Sequence, residues 1–282
     1  MIPGPMATTH DRHLFAGTAA YYARYRPPYP VELLDRLAVE FGLGPGTAVL
    51  DLGCGTGQLA LPVSRTGCTV WAVDPDPDMI GEGVRTQAGG EYGNMRWVLG
   101  RGEDLRSADL PQIRLCTMGA SFHWMDRDLV LETLDRMIEP DGGVALVSGS
   151  ASIWSKTGAL EGAWLDITRE VIEQFLGPKR RAGHGTYIHP TRSHDQVLLD
   201  SAFSMLEKRR FTSLRLLSVD DVVGQQLSTS YASPAQLGDR LLEFCSELSR
   251  RLLELEPGDG FETVEHTDLI VARRTSPESG PR

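Results

Sequence analysis

From Val31 onward the chain switches regularly between two hydrophobic periods. Val31-Glu-Leu-Leu-Asp-Arg-Leu-Ala-Val-Glu-Phe41 spaces its apolar residues as one helix face, directly after Pro30, which is a helix start signal. Short apolar runs then predict strands over 47–52, 69–73, 95–99, 113–118 and 143–148. The amphipathic stretches between them predict helices over 57–65, 76–88 and 126–138. Strands alternating with helices imply an α/β fold, doubly wound, with a parallel sheet covered on both faces and ligands at the carboxyl ends of its strands. After Ser150 the rhythm breaks. Residues 158–176 read as an amphipathic helix, Gly177 to His194 as a loop, Leu206 to Val219 as a strand and 234–255 as a long helix. Phe261 to Arg273 reads as the last strand, residues 1–13 as a disordered leader and 275–282 as a frayed tail.

The chemistry concentrates in Ala48-Val-Leu-Asp-Leu-Gly-Cys-Gly-Thr-Gly57. A buried strand ends here in Gly53, Gly55 and Gly57, around Cys54, where a small residue is wanted, and a helix follows. Such a turn offers free N–H groups to an anionic or polar small molecule. At the end of the next apolar run stands Asp74, then Pro75, a position from which a carboxylate accepts hydrogen bonds from two ribose hydroxyls. The spacing departs from the dinucleotide fingerprint: the third glycine comes one residue early, and Gln58 holds its place. Asp51 would also set negative charge where a pyrophosphate sits. It suits instead a ligand bearing a sulfonium or an ammonium.

Asp51-Leu-Gly-Cys-Gly-Thr-Gly57 followed by Asp74 resembles the class I S-adenosylmethionine-dependent methyltransferases. Within them, Gly119-Ala-Ser-Phe-His-Trp-Met-Asp126 and Tyr21-Tyr-Ala-Arg-Tyr-Arg-Pro-Pro-Tyr-Pro30 resemble the branch of the trans-aconitate and quinone-biosynthesis enzymes, called methyltransferase type 11. Ile138-Glu-Pro-Asp-Gly-Gly-Val-Ala-Leu146 is similar to the family's fifth-strand segment. The resemblance covers about residues 14 to 150. It implies a Rossmann-like, mainly parallel seven-stranded sheet with an antiparallel last strand and a helical insertion after strand five. It also implies S-adenosylmethionine as cofactor and S-adenosylhomocysteine as product. Residues 14–150 then form the cofactor-binding core with an N-terminal lid, 151–205 an acceptor-side insertion, and 206–274 the strands and helix that complete the core.

The resemblance further implies roles for single residues. Gly100-Arg-Gly-Glu-Asp-Leu105 corresponds to the adenine loop, in which Gly102, Glu103 and Asp104 face the base. Arg101 stands where the family often has Asp, so the amine contact passes to Glu103 or Asp104. Met79 packs on the adenine or in the core. In the lid, Arg26 binds the methionine carboxylate through a bidentate contact, and Tyr22 and Tyr25 shape the segment or pack. Gly119 and Ser121 line the cofactor at the end of strand four. His123, just beyond, is the candidate general base. Its alternative is a packed structural turn within Phe122-His123-Trp124. His184, His189 and His194 are expected in an exposed loop.

The formal charge of −10 and a pI near 5.2 argue against a nucleic-acid partner. Lys179-Arg180-Arg181 and Lys208-Arg209-Arg210 are short and read as solvated loop or strand ends. Cys54, Cys68, Cys116 and Cys245 show neither metal-ligand nor Cys-x-x-Cys spacing, so no metal is signalled. That reduced pattern, no signal peptide and no stretch of ~20 apolar residues predict a cytoplasmic protein without a membrane partner. The expected activity is in-line methyl transfer to an O, N or C atom of a small molecule. Trp154, Trp164, Phe175 and Tyr187, among Arg and His, suit a moderately polar, ring-bearing acceptor. A cofactor-binding relative that senses the nucleoside or runs non-methyl chemistry remains open, as does an NAD-dependent oxidoreductase. Oligomeric state is not readable from the sequence.

Overall fold

The computed structural model describes residues 14–107, 110–149, 153, 162–183, 185–187 and 190–275. The leader 1–13, Trp154, His184, His189 and the tail from 276 lie outside the described residues. Helices α1 (Ala19–Tyr25) and α2 (Val31–Glu40) precede strand β1 (Ala48–Leu52). Next come α3 (Ala60–Ser64), β2 (Thr69–Asp74), α4 (Pro77–Ala88) and β3 (Asn94–Leu99). A 3-10 turn at Gly102–Ser107 leads to β4 (Ile113–Gly119), and another at Phe122–Trp124 leads to α5 (Arg127–Met137) and β5 (Ile138–Ser148). Then follow α6 (Ala163–Leu176), a two-stranded hairpin of β6 (Arg181–Ala182) and β7 (Gly185–Thr186), α7 (His194–Leu199) and β8 (Met205–Leu217). The chain closes with α8 (Val219–Leu227), α9 (Pro234–Leu237), α10 (Leu241–Leu255) and β9 (Phe261–Arg273).

The principal sheet has seven strands in the order β3-β2-β1-β4-β5-β9-β8. Pairs β1/β2, β2/β3, β1/β4 and β4/β5 are parallel, while β9 runs antiparallel to β5. Alternate residues of its strands feed two separate apolar cores. Leu50, Leu52, Cys116, Met118, Val144 and Leu146 belong to one, and Val49, Leu115, Ala145 and Val147 to the other. Both faces are therefore covered, which is why β1 is buried along its whole length instead of alternating with solvent. The fold is the doubly wound, Rossmann-like α/β arrangement with an antiparallel last strand.

The chain divides into two compact units. The sheet unit comprises residues 28–149, 190–211 and 267–282. The helical unit comprises 1–27, 150–189 and 212–266. This division runs differently from the expected boundaries. The segment before Pro28 belongs to the helical unit and not to the core, and 206–274 is split between the two. The reason is burial. Val222, Phe244, Leu248 and Leu252 of α8 and α10 share one apolar cluster with Val171, Ile172 and Phe175 of α6 and with Tyr21 of α1. The amphipathic faces of 212–266 are thus spent on other helices.

The single helix expected over 234–255 is broken, because Gly238 adopts φ +54 and a 3-10 turn, Gly238–Arg240, separates α9 from α10. Helix α8 was missed; its start is a capping box in which Ser218 and Asp221 satisfy each other's backbone N–H groups. Among the described residues no helix is long and apolar enough to cross a membrane.

Candidate active site

Strand order reverses between β1 and β4, the topological switch point at which a doubly wound sheet opens a crevice beyond its carboxyl ends. The glycine loop lies at that point. Gly53 and Cys54 both donate their N–H groups to the Val73 carbonyl, at 2.8 and 3.1 Å, which folds the loop back over β2. Gly53 has φ +64 and Gly57 has φ +91, conformations open to glycine at little cost. A Cβ on Gly53 would stand 2.5 Å from Ser121 Cβ, and one on Gly57 would stand 2.8 Å from the Trp97 ring. Gly55 shares the left-handed region at φ +54.

Asp74 ends β2 with its carboxylate held by backbone. Gly55 donates to Oδ2 at 2.8 Å and Asp76 donates to Oδ1 at 2.9 Å. Each oxygen keeps a second lone pair, so two adjacent hydroxyls of a ligand could still be accepted. Burial, eased by those two N–H bonds, pushes its pKa up to about 6. Asp51 is buried deeper, at 1 % exposure. It is the in-register partner of Thr117 across β1/β4, and the Thr117 hydroxyl donates to its Oδ1 at 2.7 Å. Burial pushes Asp51 up to about 7, with the nearby Asp74 charge adding to the effect. Two carboxyls in one dry loop favour a cationic ligand, whose charge would stabilise their ionised forms.

The end of β4 is tightly built. Ser121 donates its hydroxyl to the Leu52 carbonyl at 2.6 Å, tying β4 to β1. Ala120 has φ +50, and a Cβ on Gly119 would meet the Tyr29 hydroxyl at 2.6 Å. His123 is half-buried, its ring 4.6 Å from Trp124. The ring of His194 lies 6.3 Å from that of His123 and 5.2 Å from Phe122. His194 was expected in an exposed loop. It instead opens α7, half-buried against Phe122, where burial and the Arg127 guanidinium hold its imidazole below its usual pKa. No helical signal marks so short an element, and the aromatic neighbour comes from a segment about seventy residues away in sequence.

In the adjoining loop, Glu103 accepts the Asp126 N–H at 2.9 Å and faces Arg101 Nε at 3.5 Å, so it braces the start of α5. Gly102 is buried, and Asp104 beside them is exposed. Met79 is buried on the first turn of α4, behind Asp76, whose side chain caps that helix, while Pro75 is exposed. Cys54 is buried, and burial raises its thiol pKa. The remaining candidates sit in the helical unit. Arg26 donates to the Ser228 carbonyl at 3.0 Å and lies 4.8 Å over the Tyr22 ring. Tyr25 is structural: its hydroxyl donates to Asp220 at 2.8 Å, and its ring fills the space a side chain at Gly224 would need. Among the described residues no group of three or more His, Cys, Asp or Glu could hold a metal ion. Sequence reading missed Thr117, which strand register brings to Asp51, and Tyr29, whose hydroxyl lies against Gly119 at the end of β4.

Residues 49–142 match the family model described as a methyltransferase domain. The chain is similar to an uncharacterized methyltransferase of Mycobacterium tuberculosis, 26% identical over 238 residues covering 83% of this chain and 84% of that one. It is also similar to a Saccharomyces cerevisiae protein provisionally named as an S-adenosylmethionine-dependent methyltransferase, 25% identical over 45% of this chain and 44% of the relative. Among solved structures, one from Anaeromyxobacter dehalogenans, provisionally described as a type II methyltransferase, superposes with a TM-score of 0.59. It is 21% identical and covers 89% of this chain and 98% of its own, a likeness of fold.

Proposed function

We propose that this chain, whose residues 49–142 match a methyltransferase domain, binds S-adenosylmethionine and methylates an O, N or C atom of a small molecule. One observation carries the cofactor assignment. Asp74, fixed by the Gly55 and Asp76 N–H groups, offers acceptors for a ribose diol beside a loop whose deeper acid, Asp51, favours positive charge. When bound, the cofactor supplies an electrophilic methyl on its sulfonium. The chain's own contribution is then alignment and exclusion of water, because no strong acid or metal is needed to activate that methyl.

Gly53, Gly55 and Gly57 leave the loop without a side chain at three positions, Gly119 and Ser121 hold the wall at the end of β4, and Met79 and Gly102 offer apolar surface and backbone. Arg26 serves as the expected carboxylate partner, with Tyr22 supporting its guanidinium. In the adenine loop Glu103 holds Asp126 and Arg101, and either Glu103 or Asp104 is the acid for the exocyclic amine.

Calorimetric titration with S-adenosylmethionine, S-adenosylhomocysteine and NAD tests the reading. Micromolar binding of the first two and none of NAD is expected; binding of NAD alone, or of none of the three, would end it. His123 is proposed as general base for a hydroxyl acceptor. His123→Gln is expected to lower kcat by roughly 10²-fold or more while leaving S-adenosylhomocysteine affinity within about twofold. An unchanged kcat would leave His123 with packing alone.

A further inference from the structure

We infer that the helical unit carries an oxyanion-binding site centred on Arg180, which takes the carboxylate or phosphate of an acidic small molecule. The sequence reading placed Lys179-Arg180-Arg181 in solvent. Lys179 and Arg181 are exposed, and Arg180 is the exception. Arg180 is half-buried, with its guanidinium carbon 4.0 Å over the Tyr187 ring and 5.7 Å over the Tyr231 ring. Arg181 is tied down separately, by bonds to the Leu176 carbonyl at 3.1 Å and the Gln236 side chain at 3.3 Å.

Charge balance singles Arg180 out. In the same unit Arg24, Arg169, Arg215, Arg240, Arg250 and Arg251 each pair with a carboxylate. Arg180 has no carboxylate partner among the described residues, and its Nε is buried without a hydrogen-bond partner. Arg26 repeats the pattern: among the described residues its Nε is also buried without a hydrogen-bond partner, and its guanidinium donates to the neutral Ser228 carbonyl. Both guanidinium charges act on Tyr231, favouring its ionised form against the opposing effect of burial, so the two cations share one neighbourhood. Tyr231 is itself buried, with its hydroxyl 3.2 Å from the Gln226 side-chain oxygen.

Two cations drawn partly out of water without an anion are destabilising, and in a chain of net charge −10 they are not short of carboxylates to pair with. A ligand anion removes that cost. The guanidinium forks match a planar carboxylate or a phosphate through paired N–H bonds, while flanking tyrosines limit its motion and supply apolar surface for the rest of the molecule. The anion site does not depend on the methyltransferase reading.

The test uses the full chain and two probes, citrate and inorganic phosphate, titrated by calorimetry and by NMR of the arginine Nε–H resonances, with glycerol as neutral control. Wild type should bind one anion saturably, with a dissociation constant on the order of millimolar, and the Arg180 Nε–H should shift with it. Arg180→Gln should weaken that binding by roughly tenfold or more, with Arg180→Lys in between, since lysine keeps the charge and loses the fork. Preference for citrate points to a carboxylate ligand and preference for phosphate to a phosphate ester. Equal binding by wild type and Arg180→Gln, or no saturable shift of the wild-type resonance, overturns the inference. The wild-type resonance decides even where a variant folds poorly. S-adenosylhomocysteine affinity is measured on the same samples. Retained there while the anion result fails, it removes this inference alone; absent in wild type, it removes the methyltransferase reading and leaves the anion result standing by itself.

Discussion

Asp74→Ala is expected to lower affinity for S-adenosylmethionine and S-adenosylhomocysteine together by about 10² to 10⁴-fold. Hydrogen bonds to a charged group contribute about 1.5–3 kcal/mol each, and two ribose hydroxyls stand to lose theirs. Folding should suffer much less. The variant strips acceptors from the Gly55 and Asp76 N–H groups, yet it also removes a carboxylate that is 8 % exposed and has no paired cation among the described residues. Asp74→Asn, which keeps one acceptor oxygen and its shape, should fall between. A loss below about tenfold in Asp74→Ala, measured by calorimetry, would remove the ribose role.

The same carboxyls set opposite pH trends for the free and the liganded protein. Burial raises Asp74 to about 6 and Asp51 to about 7, both above the value of 3.8 that applies in an unfolded chain. Between those limits the folded state binds more protons than the unfolded one, so their contribution makes the free protein less stable as pH rises from about 4 to 7. A ligand that needs them ionised binds better over the upper part of that window. Affinity should therefore fall by roughly tenfold per pH unit below 6 for each carboxylate that must be charged. Affinity independent of pH between about 5 and 8 would exclude both groups from the binding equilibrium.

Gly53→Ala is expected to destabilise the protein by roughly 2–5 kcal/mol and to abolish cofactor binding. A left-handed backbone costs a residue with a Cβ about 1–2 kcal/mol, and overpacking adds about 1–3. At φ +64 the new Cβ would stand 2.5 Å from Ser121 Cβ and 2.9 Å from the Ser121 hydroxyl that holds the Leu52 carbonyl. Relief requires moving β4 or β1, and so the loop itself. In thermal unfolding the fall should be about 5–15 °C. Adding Ser121→Gly should recover the packing share and leave the backbone share, a coupling that a double-mutant cycle reads directly. A Gly53→Ala protein that binds S-adenosylhomocysteine as wild type does would mean that the loop is not the cradle.

The strand, glycine turn and following acid were legible in one dimension, because each is a local demand. Five buried residues in a row need a two-faced cover, a turn this tight needs positive φ, and a chain-reversing sheet needs its ligand at the strand ends. Those demands fixed the α/β alternation and the place of Asp51, Gly53 and Asp74, while the seven strands followed only from the family resemblance. Long-range pairing was not legible. Thr117 reaches Asp51 through strand register, His194 reaches Phe122 across an intervening segment, and α8 and α10 bury their apolar faces on α6 and α1 instead of the sheet. An amphipathic stripe says that a face will be covered without saying by what. Likewise the sequence showed Arg180 as one cation in a basic triplet, and only the fold set it over the Tyr187 and Tyr231 rings with no carboxylate partner among the described residues, because that choice depends on which distant chain segments compete for the same volume.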